Sequence, residues 1–212
     1  MFRKDSDQIY RVRPLEEFDW LVHGFGARNA RLPGDLATLK QIHSTTCVPA
    51  EGRSGLLGEG DALLEDTPGR VVAVKTADCV PVLLADVRNR AVAAVHAGWR
   101  GAAGRIAAGA VAAMAARFGT RPGDVRAAIG PAIGACCYEV GSEVAARFGF
   151  SPDGPVRLDL PEINRRQLLE AGVSPEHVWV AGLCTRCRPA EFYSFRREQQ
   201  HAGRMYSFIG LR

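Results

Sequence analysis

The chain has 212 residues, 47% of them apolar and 24% charged, and a formal net charge of +4. That length suits one sizeable core rather than two, and the composition excludes a disordered or fibrous protein. The charge comes from 24 Arg against 3 Lys, scattered without a basic stripe or recognised motif. Nucleic acid is therefore not an expected partner, whereas Arg suits two-pronged binding of an anionic small molecule.

The N-terminus, MFRKDSDQIYRVRP, lacks an apolar signal core. No apolar run approaches the roughly 18 residues of a membrane span. The expectation is a cytoplasmic protein with no membrane partner; the sequence fixes no oligomeric state. Pro14–Phe25 reads as mixed, opening on a short strand, and Arg28–Asp35 as a loop before the short apolar-polar segment Leu36–His43. Val71–Val74 and Val80–Ala85 read as buried strands, joined by Thr76-Ala77-Asp78-Cys79. Ala91–Val95 is a third such strand, ending at His96 and broken by Gly98-Trp99-Arg100-Gly101.

The Ala-rich stretch Arg105–Phe118 has helical spacing. Val125–Ile129 reads as a strand and Ser142–Phe148 as a short helix. Leu160–Ala171 is an amphipathic helix stopped by Gly172, and Val178–Ala181 a further strand. The tail carries the polar-aromatic run Phe192–Arg197. Phe150–Val156 is the longest linker candidate and is too short to divide two domains, so residues 1–212 are read as one domain of mixed α and β structure.

His43, Cys79 and His96 stand out because two of them fall at the edges of strand candidates, where rigid elements present side chains to a cleft. Two imidazoles and a thiolate make a three-ligand zinc set with a fourth position left open. The plain alternative is three separate hydrogen-bonded polar groups near the core. Cys79 as a nucleophile with His96 as its base is a further reading. Asp78 shares the site only if its segment turns, because neighbours on a strand face opposite ways; there it orients a ligand or takes a proton.

The rival site is Cys184-Thr185-Arg186-Cys187, a CxxC that suits zinc or a redox disulfide. Structural zinc takes two such pairs, and the adjacent Cys136-Cys137 does not present itself as the second. The plain reading is two small residues buried near a strand end. His23, before Gly24-Phe25-Gly26, is placed in a turn near the site; His177 and His201 are given ordinary surface roles. Gly130-Pro131-Ala132-Ile133-Gly134 lacks the patterns of a phosphate loop and is read as turn geometry.

Taken together the motifs become specific. HGFGAR from His23, KQIH from Lys40, GDAL from Gly60, TADCVPVLLAD from Thr76, AVHAGWRG ending at Gly101, AAIGPAIGACCYEVG from Ala127, the Cys184-Thr185 pair, and FYSFRRE through GRMYSFI resemble, in that order, the YfiH-type laccase-domain family. That family is also described as multicopper polyphenol oxidoreductase-like and as purine nucleoside phosphorylase.

The resemblance implies an α+β fold, a four-layer α/β/β/α sandwich similar to a group of proposed cysteine hydrolases. It implies metal ligands at His43, Cys79 and His96, with zinc as the cofactor and copper second. It implies phosphate-dependent cleavage of adenosine, inosine and methylthioadenosine, together with adenosine deamination. The partners are then a purine nucleoside and phosphate, with Cys79, His96 and Asp78 as catalytic candidates and Arg28, Arg100, Arg196 and Arg197 as substrate-binding candidates. Amidohydrolysis of a peptidoglycan precursor, also associated with the family, and metal binding or redox sensing without turnover are the alternatives. Family members carry a longer segment before the QIH motif that helps cover the substrate; here only Asn29–Leu39 separates Arg28 from Lys40, so a reduced lid is expected.

Overall fold

A computed structural model describes residues 1–151 and 154–212. The chain runs β1 (Phe2–Lys4), β2 (Ile9–Val12), α1 (Arg13–Glu16), β3 (Leu21–Gly26), β4 (Leu36–Lys40), β5 (Cys47–Pro49), β6 (Gly55–Glu59), β7 (Ala62–Glu65), β8 (Val71–Thr76), β9 (Val80–Asp86) and β10 (Ala91–Ala97). It continues with α2 (Trp99–Ala103), α3 (Ile106–Phe118), β11 (Val125–Ile129), β12 (Glu139–Val140), α4 (Ser142–Ala146), β13 (Val156–Arg157), α5 (Leu160–Glu170), β14 (Val178–Val180), α6 (Phe195–Glu198) and β15 (Met205–Leu211).

Two large mixed sheets face each other. One has the order β1-β2-β3-β15-β8-β4-β6, the other β14-β11-β9-β10-β7-β5. Every residue of β9 and β10 is buried, because one face meets the opposite sheet and the other meets helices. Such strands read as continuous apolar runs rather than alternating ones. Phe25, Val74, Leu83, Ala94 and Ile209 fill the space between the sheets. Val82, Leu84 and Val95 pack outward on Ile106, Met114 and Leu168 of α3 and α5.

Helix α3 forms because small apolar residues recur at three- and four-residue spacing: Ile106, Ala107, Ala110, Val111 and Met114 are its buried stripe. It stops at Gly119, whose φ of 71° gives the left-handed C-cap. Helix α5 starts where the Asp159 carboxylate accepts the Glu162 N–H at 3.0 Å, a cap worth about 1 kcal/mol. The outer face of the seven-stranded sheet is covered differently. There Ala30 and Leu32 pack against Ile9, Ala73 and Phe208, so the cover on that side is the short segment after β3 and not a long helix.

The strands read from sequence stand, with three changes. Pro14–Phe25 does not open on a strand: Pro14 lies in the first turn of α1, and the strand is β3 at the other end of the segment. His96 is inside β10 rather than beyond it. Strand β15, from the C-terminal tail, lies in the middle of its sheet between β3 and β8, a position that local pattern does not reveal. The linker candidate Phe150–Val156 includes Pro152 and Asp153, which lie outside the described residues; Val156 pairs with Val140 in the small β12–β13 ladder. Among the described residues, no helix is long and apolar enough to cross a membrane.

One topological feature places the site. Strands β4, β6 and β8 run parallel in one sheet, and β5, β7 and β9 belong to the other. The chain therefore crosses between the sheets three times at the same end: through 41–46, through Gly60-Asp61 and through 77–79.

Candidate active site

The three crossings bring His43, Asp61 and Cys79 to one place, beside His96 near the end of β10. His43 Nε2 lies 3.9 Å from Cys79 Sγ, the His43 and His96 rings meet edge-on with centroids 4.9 Å apart, and one ligating atom of each of the three residues falls within 4.8 Å of the others. The residues fit a metal. Zn–N near 2.0–2.1 Å and Zn–S near 2.3 Å in a tetrahedron put N and S about 3.5 Å apart, close to what is observed. An N,N,S set of this kind suits a transition-metal ion of the zinc or copper class.

Asp61 organises the centre, and the sequence reading missed it. It is fully buried. Its carboxylate accepts the backbone N–H groups of Ile42, His43 and Ser44, the Ser44 hydroxyl, and His96 Nδ1 at 2.8 Å. The bond to Nδ1 leaves His96 Nε2 for a ligand, the usual carboxylate–histidine–metal arrangement. The same carboxylate clamps the loop that carries His43, whose backbone sits in the left-handed region at φ 59°. Its signals in the sequence were an acidic residue directly before the apolar run of β7 and a place in the GDAL motif from Gly60.

The three groups shift one another's protonation. Burial alone would push the Cys79 thiol up, but the His43 and His96 imidazoles outweigh it and bring it down to about 6. Burial opposes charge on His96, yet Asp61 and the Cys79 thiolate raise it to about 9. Asp61 is held near 2 against its own burial by His96 and Ser44. In the metal-free protein the centre is thus a thiolate–imidazolium pair on a carboxylate. Gly98 makes room for it: a Cβ there would lie 2.9 Å from His43 Cδ2 and 3.1 Å from Cys79 Sγ.

His43, Cys79 and His96 line a cavity of about 710 Å³, a size ordinary for small-molecule sites. Its walls carry the apolar and aromatic side chains Trp99, Ile133, Tyr138 and Phe195, and the cations Lys40, Lys75, Arg100, Arg196 and Arg204. Tyr138 keeps its phenolic proton, pushed up to about 12 chiefly by burial. Arg196 is braced through Nη1 on the Glu139 carbonyl at 2.9 Å.

Two of the four Arg candidates are elsewhere. Arg28 pairs with Glu198, donates to the Phe192 carbonyl and stacks on Tyr193. Arg197 spends its guanidinium on the carbonyls of Thr185, Arg186 and Phe192 and on Glu198. Both brace the C-terminal segment, and neither lines the cavity. Arg204, unflagged in the sequence, does.

Asp78 is in a turn, with φ 92°, and borders the cavity. Its carboxylate accepts from Thr185 Oγ1, Ser194 Oγ and the Arg196 N–H at 2.6, 3.0 and 2.7 Å. The carboxylate that orients a histidine is Asp61, and Asp78 instead docks the C-terminal segment beside Cys79.

His23 is not near this centre. It is buried on β3 beside a smaller cavity and accepts the Val12 N–H through Nε2, while burial and the nearby Arg11 press its pKa down to about 3. Gly130 does not hold phosphate: its N–H goes to the Pro81 carbonyl, and a Cβ there would strike the Phe25 ring at 2.1 Å. Close approach of Phe25, not turn geometry, is what demands glycine. The segment after β3 does not border the cavity until Leu39.

The family model described as multi-copper polyphenol oxidoreductase laccase matches residues 24–212. This chain belongs to that family. Among members of this laccase-like family, the Deinococcus radiodurans protein named purine nucleoside phosphorylase is 42% identical over 185 residues, which cover 84% of this chain and 70% of that protein. Adenosine deaminase RL5, from an unknown prokaryotic organism, is 36% identical over 196 residues, 82% of this chain and 74% of the relative. The crystal structure of Bacillus licheniformis hypothetical protein YfiH superposes with a TM-score of 0.92 at 30% identity, covering 100% of this chain and 99% of that one. The α+β architecture described above is therefore that of the YfiH-type proteins.

Proposed function

We propose that this chain is a zinc-dependent purine nucleoside phosphorylase that also deaminates adenosine. The observation that carries the reading is the juxtaposition of the His43–Cys79–His96 set with a cavity lined by both aromatic and cationic side chains. Relatives named for both activities support it.

His43, Cys79 and His96 hold the ion, which when bound supplies Lewis-acid activation at its open position. Trp99, Tyr138 and Phe195 offer flat apolar faces to a purine. Arg100, Arg196 and Arg204 offer guanidinium forks for phosphate. Phosphorolysis needs phosphate held beside the sugar as the glycosidic bond loosens, and that is the work assigned to these Arg residues. Asp61 keeps His96 in one tautomer, and Asp78 holds the segment that positions Arg196. The copper-oxidase name of the family has less chemical support: multicopper oxidation needs several copper centres, and one His₂Cys set is present among the described residues.

Amidohydrolysis is the second reading, favoured by the Cys79–His96–Asp61 order, in which a thiolate, an imidazole and an orienting carboxylate stand in sequence. The deciding experiment pairs metal analysis with phosphate-dependent base release from adenosine and inosine. The expected result is bound zinc, base release that requires phosphate, and loss on Cys79→Ala of that activity and of the ion held by His43, Cys79 and His96. Cleavage of a cell-wall peptide amide without nucleoside turnover would select the second reading instead. Metal content and activity unaltered in His43→Ala would refute the centre itself.

A further inference from the structure

The two cysteine pairs that the sequence reading kept apart meet in the structure. Cys184 forms an isolated parallel bridge with Ala132. The Ala132 N–H donates to the Leu183 carbonyl at 3.2 Å and the Thr185 N–H to the Ala132 carbonyl at 3.0 Å. These bonds lay the 184–187 turn beside the 134–138 turn, where the N–H groups of Cys137 and Tyr138 both donate to the Gly134 carbonyl at 2.9 Å. The four sulfurs converge as a result. Cys187 Sγ is 3.7 Å from Cys136 Sγ and 3.4 Å from Cys137 Sγ, and all four lie within 4.8 Å of one another.

We propose that Cys136, Cys137, Cys184 and Cys187 form a second metal site, a closed four-thiolate centre for a zinc-class divalent ion. All four cysteines are free in the structure, their sulfurs well beyond the bonded distance of about 2.05 Å. A tetrahedral ion with Zn–S of about 2.3 Å has S···S edges of about 3.8 Å, which the separations of 3.7 and 3.4 Å approach. The Gly134 N–H already donates to Cys184 Sγ at 3.3 Å, a bond that favours the thiolate form needed for ligation. Cys136 and Cys187 are exposed and Cys137 and Cys184 half-buried, so the thiols are not packed as small core residues, and an ion has a path in.

Four protein ligands leave no open position, so this site staples chain rather than turning over substrate. What it staples bears on the first centre. The Ile133 N–H donates to the Asp78 carbonyl at 2.9 Å, and Thr185 Oγ1 donates to the Asp78 carboxylate. One turn thus holds the backbone of Asp78 and the other its side chain, next to Cys79. The site exists independently of what reaction that centre performs.

The test is cobalt and zinc loading of the full chain, purified under reducing conditions. Wild type should take up two ions, and Cys79→Ser should retain one. X-ray absorption of zinc-loaded Cys79→Ser should show an all-sulfur shell near 2.3 Å. Cys184→Ser and Cys187→Ser should each lose most of the sulfur-to-cobalt charge-transfer intensity, keeping only the weaker band of the single Cys79 thiolate, while still taking up one ion at the His43 centre. Uptake of a single ion by wild type, a nitrogen- or oxygen-containing shell in Cys79→Ser, or two disulfides found by thiol titration of the freshly purified, denatured protein would each overturn the proposal. The wild-type stoichiometry and the Cys79→Ser spectrum remain decisive if the Cys184 and Cys187 variants do not fold.

Discussion

At the His43 centre the candidate ligands come from two crossings between the sheets and from near the end of a central strand, and the crossing at Gly60-Asp61 supplies the buried carboxylate that backs them. At the thiol cluster the ligands come from two turns joined by a single bridge, with sulfur on every side. The first faces a cavity of about 710 Å³; the second is half on the surface. The contrast is that between a site built for chemistry and one built for restraint. An open coordination position is useful only where the scaffold is rigid and a cavity admits substrate, whereas a closed set of four can rest on loops because the ion itself supplies the rigidity.

The largest effect that would separate the two is loss of a central ligand. Cys79→Ala should lower phosphate-dependent nucleoside cleavage by at least about 10³-fold, since the ion contributes several kcal/mol to the transition state, with little change in melting temperature. Cys184→Ala should do the reverse, lowering the melting temperature while leaving most of the activity at low temperature. Equal losses of activity in both variants would erase the distinction.

Asp61→Asn tests the scaffold behind the first centre. An amide accepts the loop N–H groups less strongly and no longer fixes His96, so metal affinity should fall about 10- to 100-fold. In the metal-free wild type, alkylation of Cys79 should rise with pH through about 6, well below the ordinary thiol range. The sign follows from the thiolate being the reactive form: lowering its pKa moves reactivity to lower pH. In Asp61→Asn the rise should move up, because His96 loses the partner that keeps it charged. An unchanged profile would show that Asp61 does not act through His96.

Gly98→Ala should weaken metal binding roughly 10-fold or more, because its Cβ would press on His43 Cδ2 and Cys79 Sγ at 2.9 and 3.1 Å and small displacements of ligating groups are costly. No glycine beside the thiol cluster is as constrained: a Cβ at Gly134 would meet Cys136 Sγ and Cys184 Cβ at 3.5 Å, an ordinary contact.

The smallest effect distinguishes the arginines. Arg196→Ala should raise the KM for phosphate about 10-fold, as expected for loss of one charge-assisted hydrogen bond of about 1.5 kcal/mol. Arg197→Ala should leave that KM alone and lower stability by about 1–3 kcal/mol, a melting-temperature drop of several degrees, because its guanidinium serves backbone carbonyls. A rise in KM for Arg197→Ala would return it to the substrate site.

The sequence by itself determined a good deal. The apolar runs of β8 to β11 are long and β-rich enough to announce buried strands, and the Ala-rich stripe of α3 and the capped α5 announce helices, because burial and helical period leave local marks. It also singled out His43, Cys79 and His96, the last two at the edges of apolar strand candidates, while leaving three separate hydrogen-bonded polar groups as the plain alternative. What it left to the tertiary structure has a common physical cause: the deciding contact lies far along the chain. Asp61 looks like a turn acid until the second crossing sets it under His96, 35 residues away. Arg28 looks like an anion binder until Glu198 takes it up. Cys136-Cys137 and Cys184–Cys187 look like unrelated pairs until one bridge at Ala132 lays their turns together. Residue type and spacing specify what a side chain can do, while packing decides which of its potential partners it actually meets.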